Sequence, residues 1–190
     1  TENITGLAGL NKTLLIAKPD GLFGFTSGPW TYNIMRWDSM VDSNNGVGMT
    51  IWNGAAYIPV KHGLVKYDGN TFVNMGLDQD EGLPNNQRSK ISALVPMLNY
   101  LAALSAAIVG GGVGSLRLWN GHGWHDVTLG LTGNMFTMAI DTYTSPNRFY
   151  FRDAYMLRYI EFSDTADNPN SWQPSTYEGA GYLETAWITG

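Results

Sequence analysis

A short unit recurs along this chain: an aromatic residue closing a strand-like run, a polar or glycine-containing turn, and then a second aromatic. It reads Phe25 and Trp30, Tyr67 and Phe72, Trp119 and Trp124, Tyr159 and Trp172. The first members of these pairs stand 42, 52 and 40 residues apart. Self-similarity at a period of roughly 20–50 residues marks supersecondary units that stack because none can bury its apolar face alone.

The clearest unit contains strand-like runs at 46–52, 55–60, 64–67 and 71–75, separated by Asn53-Gly54, Lys61-His62-Gly63 and Asp68-Gly69. Asn-Gly and Asp-Gly between apolar runs are strong hairpin signals, and Tyr67-Asp68-Gly69 is expected to be an aromatic strand end followed by a type I′ turn. The same grammar gives runs at 4–10, 13–17, 22–25 and 30–34, then at 91–97, 100–109, 115–119 and 124–127, then at 136–141, 148–152 and 156–162 with Trp172 beyond, and a last run at 182–188. Four-stranded meanders repeating every 40–50 residues predict an all-β chain of β-propeller blades, with the recurring aromatic at the end of each third strand. The expected blades cover residues 4–40, 46–90, 91–133 and 135–181, with 182–190 opening a further one. Such a set makes either a compact four-blade ring or part of a larger one. Leu15, Ile51, Tyr57, Leu94, Leu104, Phe149 and Phe151 are expected in the core, on strands covered on both faces.

Composition agrees with many short strands. Of 190 residues, 23 are Gly, 17 are Trp or Tyr, and only 14% are charged. The net charge of −5 and the scatter of 11 basic residues leave no basic stripe for a phosphate backbone, so nucleic acid is not an expected partner. With no cysteine, disulfides, thiolate metal sites and cysteine nucleophiles are excluded. The chain opens on Thr1 without a basic and apolar leader, so a signal peptide is expected to be absent or already removed. Residues 91–109 are apolar enough and long enough to raise the question of a membrane helix, which needs about 20 residues. Pro96, Asn99 and Tyr100 interrupt the run, and the reading it supports is two buried strands without membrane insertion.

Two segments resemble known families. The run Gly63-Leu64-Val65-Lys66-Tyr67-Asp68-Gly69, with Phe72 and then Gly82-Leu83-Pro84, resembles the propeller repeat of bacterial two-component regulator sensors. That resemblance covers one blade and implies an extracytoplasmic, periplasmic sensing propeller. The segment from Phe162 through Ser163-Asp164 and Pro169 to Trp172 is similar to strand-and-turn pieces of phage virion propellers, such as tail hub and nozzle proteins. It implies a virion location and an assembly role. It also resembles the aspartate box of sialidases, without the glycine and threonine that precede the tryptophan there.

His122 and His125 flank a turn in Asn120-Gly121-His122-Gly123-Trp124-His125, with Asp126 beside them and His62 distant. Strand geometry scatters such residues, so solvated turn positions are expected rather than a metal site. Asp141, Asp153, Glu161 and Glu184 are the carboxylates a propeller glycosidase would draw on, and turn or rim roles are expected for them. Gly110-Gly111-Gly112 lacks the lysine and helix of a phosphate loop and reads as a turn. No catalytic residue, cofactor or metal is expected. The sequence reading is a non-catalytic structural and binding module, a phage tail or adsorption component. Its expected partners are other protein subunits and a host-surface glycan. A two-component sensor propeller and a glycan-active enzyme are the alternatives.

Overall fold

The computed structural model describes residues 3–28, 31–61, 63–76, 89–97, 99–107, 114–131, 138–141, 147–153 and 156–162. Among them every regular element is a strand. β1 (Gly6–Leu10), β2 (Thr13–Lys18), β3 (Gly21–Phe25) and β4 (Tyr32–Arg36) form the first sheet. β5 (Thr50–Trp52), β6 (Ala55–Val60), β7 (Gly63–Tyr67) and β8 (Phe72–Asn74) form the second. β9 (Ser89–Met97), β10 (Tyr100–Ala107), β11 (Gly114–Trp119) and β12 (Trp124–Leu131) form the third. β13 (Met138–Asp141), β14 (Asn147–Asp153) and β15 (Met156–Phe162) form a three-stranded fourth sheet. Each is an antiparallel meander. The runs expected at Trp172 and at 182–188 lie outside the described residues.

Side-chain alternation shows that these sheets stack as blades. On β6, Ala56, Ile58 and Val60 join a core with Leu15, Ala17 and Leu22 of the first sheet, whereas Ala55 and Tyr57 join Leu94, Leu101 and Ala103 of the third. On β10, Leu101 and Ala103 face the second sheet, and Ala102 and Leu104 face Phe149 and Phe151 of the fourth. A strand apolar on both faces is what a middle layer requires. The first strands of successive sheets also touch, β1 with β5, β5 with β9 and β9 with β13, as inner strands of a propeller do.

Register irregularity has a purpose on β9. Leu104 pairs with Ala93 but Ser105 pairs with Ile91, so Ser92 is the extra residue of a β-bulge. The bulge turns Ile91 toward the second sheet while Ala93, Val95 and Met97 face the fourth. Ser92 Oγ donates to Leu104 O at 3.1 Å across the disturbed ladder.

Six of the seven expected core residues are buried, and Ile51, on the short edge strand β5, is half-buried. Residues 91–97 and 100–107 fall within the β9–β10 hairpin, and no helix among the described residues is long and apolar enough to cross a membrane. Two expectations need correction. Asp68-Gly69 does not form a type I′ turn: Tyr67 pairs with Phe72, leaving a four-residue loop in which Asp68 caps the amides of Asn70 and Thr71 at 2.8 Å. Asn53-Gly54, by contrast, has φ of 45° and 73°, the type I′ signature. Tyr159 sits mid-strand, opposite Tyr150, because β15 continues to Phe162 instead of ending at the aromatic.

One end of the stack is locked by the connection between β4 and β5. Asn45 is 0% exposed, and its Nδ2 donates to Pro19 O (2.8 Å) and Met40 O (2.7 Å) while its Oδ1 accepts from Lys61 N (2.6 Å). It thereby ties the β2–β3 turn to the β6–β7 turn. Gly46, at φ +78°, lies where a Cβ would come within 2.1 Å of the Ala17 Cβ, so only glycine passes there. Asn44 Nδ2 donates to Ile91 O at 2.9 Å and Asp42 pairs with Lys90 at 2.9 Å, carrying the same connection on to the third sheet.

Candidate functional site

The β1–β2, β5–β6, β7–β8 and β11–β12 turns emerge at the end opposite this lock, and there the first, second and third blades leave clefts between them. Each cleft is walled by the first hairpin of one blade and the last hairpin turn of the next. The cleft between the second and third blades has a volume of about 610 Å³, and that between the first and second about 240 Å³.

The wide cleft is built from a cross-strand row. Tyr57 on β6 pairs with Lys66 on β7, which pairs with Val73 on β8, so the three share the face turned toward the third blade. Trp52 at the end of β5 and Asn53 of the β5–β6 turn close one end, and Asn74 and Met75 the other. The opposing wall is Trp119 and Trp124, the pair that closes the β11–β12 hairpin, with ring centroids 5.3 Å apart. Trp124 Nε1 donates to Met75 O at 2.8 Å, which pins the two blades together at the cleft. Tyr57 packs edge-on against Trp52 at 5.6 Å. Burial pushes the Tyr57 phenol above its ordinary value, and a hydrogen bond with the Trp119 side chain draws it part of the way back.

His122 and His125 are explained by the turn. Asn120 Oδ1 accepts from the amides of His122 and Gly123, each at 2.8 Å, and Asn120 Nδ2 lies 2.9 Å from His125 Nε2. The cap leaves the His122 side chain exposed on the rim of the wide cleft. No group of three His, Asp or Glu side chains comes together as a metal site among the described residues. His62 and Glu184 lie outside those residues. Asp141 and Glu161 occupy the register positions on either side of Arg148, in one cross-strand row of the fourth sheet, and Asp153 sits at the other end of β14. Arg148 also lies over the Tyr159 ring at 4.9 Å.

The narrow cleft has the same construction with different side chains. Its row is Leu15, Gly24 and Tyr32, and its opposing turn is Asp68-Gly69-Asn70, preceded by Tyr67. Gly24 takes the place held by Lys66 in the other row, and Tyr32 covers it so closely that a Cβ there would sit 2.5 Å from the Tyr32 Cζ. Asp68 accepts from the amides of Asn70 and Thr71 and from Thr71 Oγ1 at 2.9 Å, and these donors hold its carboxyl at about 2, below the ordinary 3.8. The Tyr67 phenol is raised, chiefly by burial and further by Tyr32 and Asp68.

Reading the sequence found Tyr57 as core and Trp119 and Trp124 as blade aromatics, but not Lys66, Asn53 or Asn74 as parts of a site. The available signal was the offset between units: the first hairpin of one unit faces the last turn of the next. Comparison with models of known protein families gives no match, and comparison with curated proteins gives none.

Proposed function

We propose that this chain is a non-catalytic binding and assembly module, a propeller component of a phage tail or adsorption apparatus. The observation that carries the reading is the repeated cleft on one rim. Two sites of identical construction, held by hairpin turns on a rigid stack, differ in the side chains they present, which is how a scaffold varies recognition without changing its fold. The first sheet adds a surface for association. On its face away from the second blade Leu7 is 56% exposed and Leu14 39%, whereas inner-strand positions of the middle blades such as Tyr57, Leu101 and Ala103 are buried. An apolar sheet face of this kind suits contact with a further blade or subunit. The virion setting rests on the resemblance of residues 162–172, and the resemblance of residues 63–72 favours a sensing propeller as the second reading. Both readings use the same rim.

The experiment is native mass measurement of the chain, alone and in its parent assembly, together with a screen of glycoside hydrolysis. The proposal expects association through an interface of at least roughly 1,000 Å² and no turnover. A monomer that hydrolyses a glycoside, and stops when Asp141 or Glu161 is changed to the amide, would overturn it.

A further inference from the structure

The wide cleft carries a combination of groups that narrows its ligand. Trp119 and Trp124 are only half-buried, and the Trp124 hydrogen bond to Met75 O fixes that ring before any ligand arrives. A preset aromatic wall loses little freedom on binding. Asn53 and Asn74 are exposed at the two ends of the cleft. Asn74 Oδ1 accepts from Gly76 N, and the amide side chain of Asn53 carries a donor pair and an acceptor of the kind that match hydroxyl groups. Lys66 brings a cation into the wall, no carboxylate lines the cleft, and among the described residues no carboxylate pairs with it. The chain as a whole is at −5, so this positive character is local, and charges beyond a Debye length of about 8 Å are largely screened from it.

We propose that the wide cleft binds a pyranose bearing a carboxylate, with the apolar face of the sugar ring on the Trp119–Trp124 wall and the carboxylate at Lys66. This deepens the binding-module reading and rests on it. The volume of about 610 Å³ falls within the roughly 300–1,000 Å³ of small-ligand pockets. An ammonium ligand in an aromatic cage is disfavoured because Lys66 would repel it. The narrow cleft supports the assignment by contrast: its charged group is Asp68, and Gly24 stands in the lysine's position, so it offers an acidic sugar no cation.

The test uses the full chain, trigalacturonate, its methyl ester and a triglutamate peptide, read by titrating the indole N–H signals of Trp119 and Trp124. Trigalacturonate should shift both signals saturably and bind about tenfold more tightly than the ester at low salt, the size of a single charge-assisted contact. Lys66→Gln should bring the two sugars to within about twofold, and Lys66→Arg should restore the preference. No saturable shift with either sugar, equal affinity for acid and ester, a gap that survives Lys66→Gln, or triglutamate binding as tightly as the sugar would each overturn the proposal. The length of the trisaccharide after the titration separates the two readings: shortening would overturn the non-catalytic function, while the Lys66 effect alone decides the ligand of the cleft.

Discussion

The two inter-blade clefts share a construction and differ in chemistry, and the difference lies in one row of three positions and in the capping residue of the turn that faces it. Tyr57, Lys66 and Val73 make the wide cleft open and cationic; Leu15, Gly24 and Tyr32 make the other narrow, with Asp68 as its charged residue. The turns that face these rows are close equivalents. Asp68 and Asn120 each use a side-chain oxygen to cap the amides two and three residues on, and each turn is closed by an aromatic pair. The blade is thus specified by its turns, which must satisfy backbone donors in a fixed geometry. The cleft is specified by the row of positions facing the turn and by whether the capping residue is charged, as Asp68 is and Asn120 is not.

The largest effects are expected from Trp52 and Leu10, the buried residues that end β5 and β1 beside the two clefts. Trp52→Ala should cost about 3–5 kcal/mol, as for large aromatic truncations, and Leu10→Ala, its counterpart in the narrow cleft, about 2–5 kcal/mol, both read by urea unfolding. Equal, small losses from the two would show that the blades are not packed through these positions. Asn45→Ala, at the locked end, should cost about 1–3 kcal/mol because it strands the buried partners at Pro19, Met40 and Lys61. It should leave the Trp119 and Trp124 indole signals in place; a shift there would couple the two ends, contrary to the separation described.

Gly24→Ala sharpens the comparison directly. The new methyl must displace the Tyr32 ring, which is 47% exposed and free to swing outward, so a loss of at most about 1 kcal/mol is expected. Accessibility of Tyr32 to surface labelling should rise as the narrow cleft opens. An unchanged Tyr32 with a loss of several kcal/mol would show that the ring is held in place.

The smallest effect concerns Asp68. Its folded value of about 2 lies below the ordinary 3.8, so its stabilisation of the turn is complete above pH 3.8 and fades as the pH falls through about 2. The Thr71 amide shift should titrate with a midpoint near 2, and Asp68→Asn should abolish that titration while keeping the cap, as Asn120 does in the next blade. A midpoint near 3.8 would mean that the capping bonds do not form.

Strands were legible because Asn53-Gly54 and the alternating apolar runs encode hairpins locally. Residues 91–97 and 100–107 of the apolar stretch fall in β9 and β10 for the same reason: Asn99 before Tyr100 breaks it at hairpin spacing. Less legible was anything set by more than one strand. Whether Asp68 opens a two- or four-residue turn depends on which residues pair across it, and Tyr159 sits mid-strand because β14 is long enough to continue the ladder to Phe162. The Ser92 bulge, which decides the faces of Ile91 and Ala93, has no local signature. Lys66 read as one polar position among others in β7; only the facing of Trp119 and Trp124 from the next blade makes it part of a site.

Both clefts depend on which neighbour each face of the second blade meets, and methyl and aromatic nuclear Overhauser contacts measure that directly. Ile58 should show contacts to Leu15, Ala17 or Leu22 of the first blade, and Leu64 and Tyr57 to Leu101 or Ala103 of the third. A contact between Ile58 and Leu101, or none between Tyr57 and the third blade, would contradict the stacking that creates both clefts.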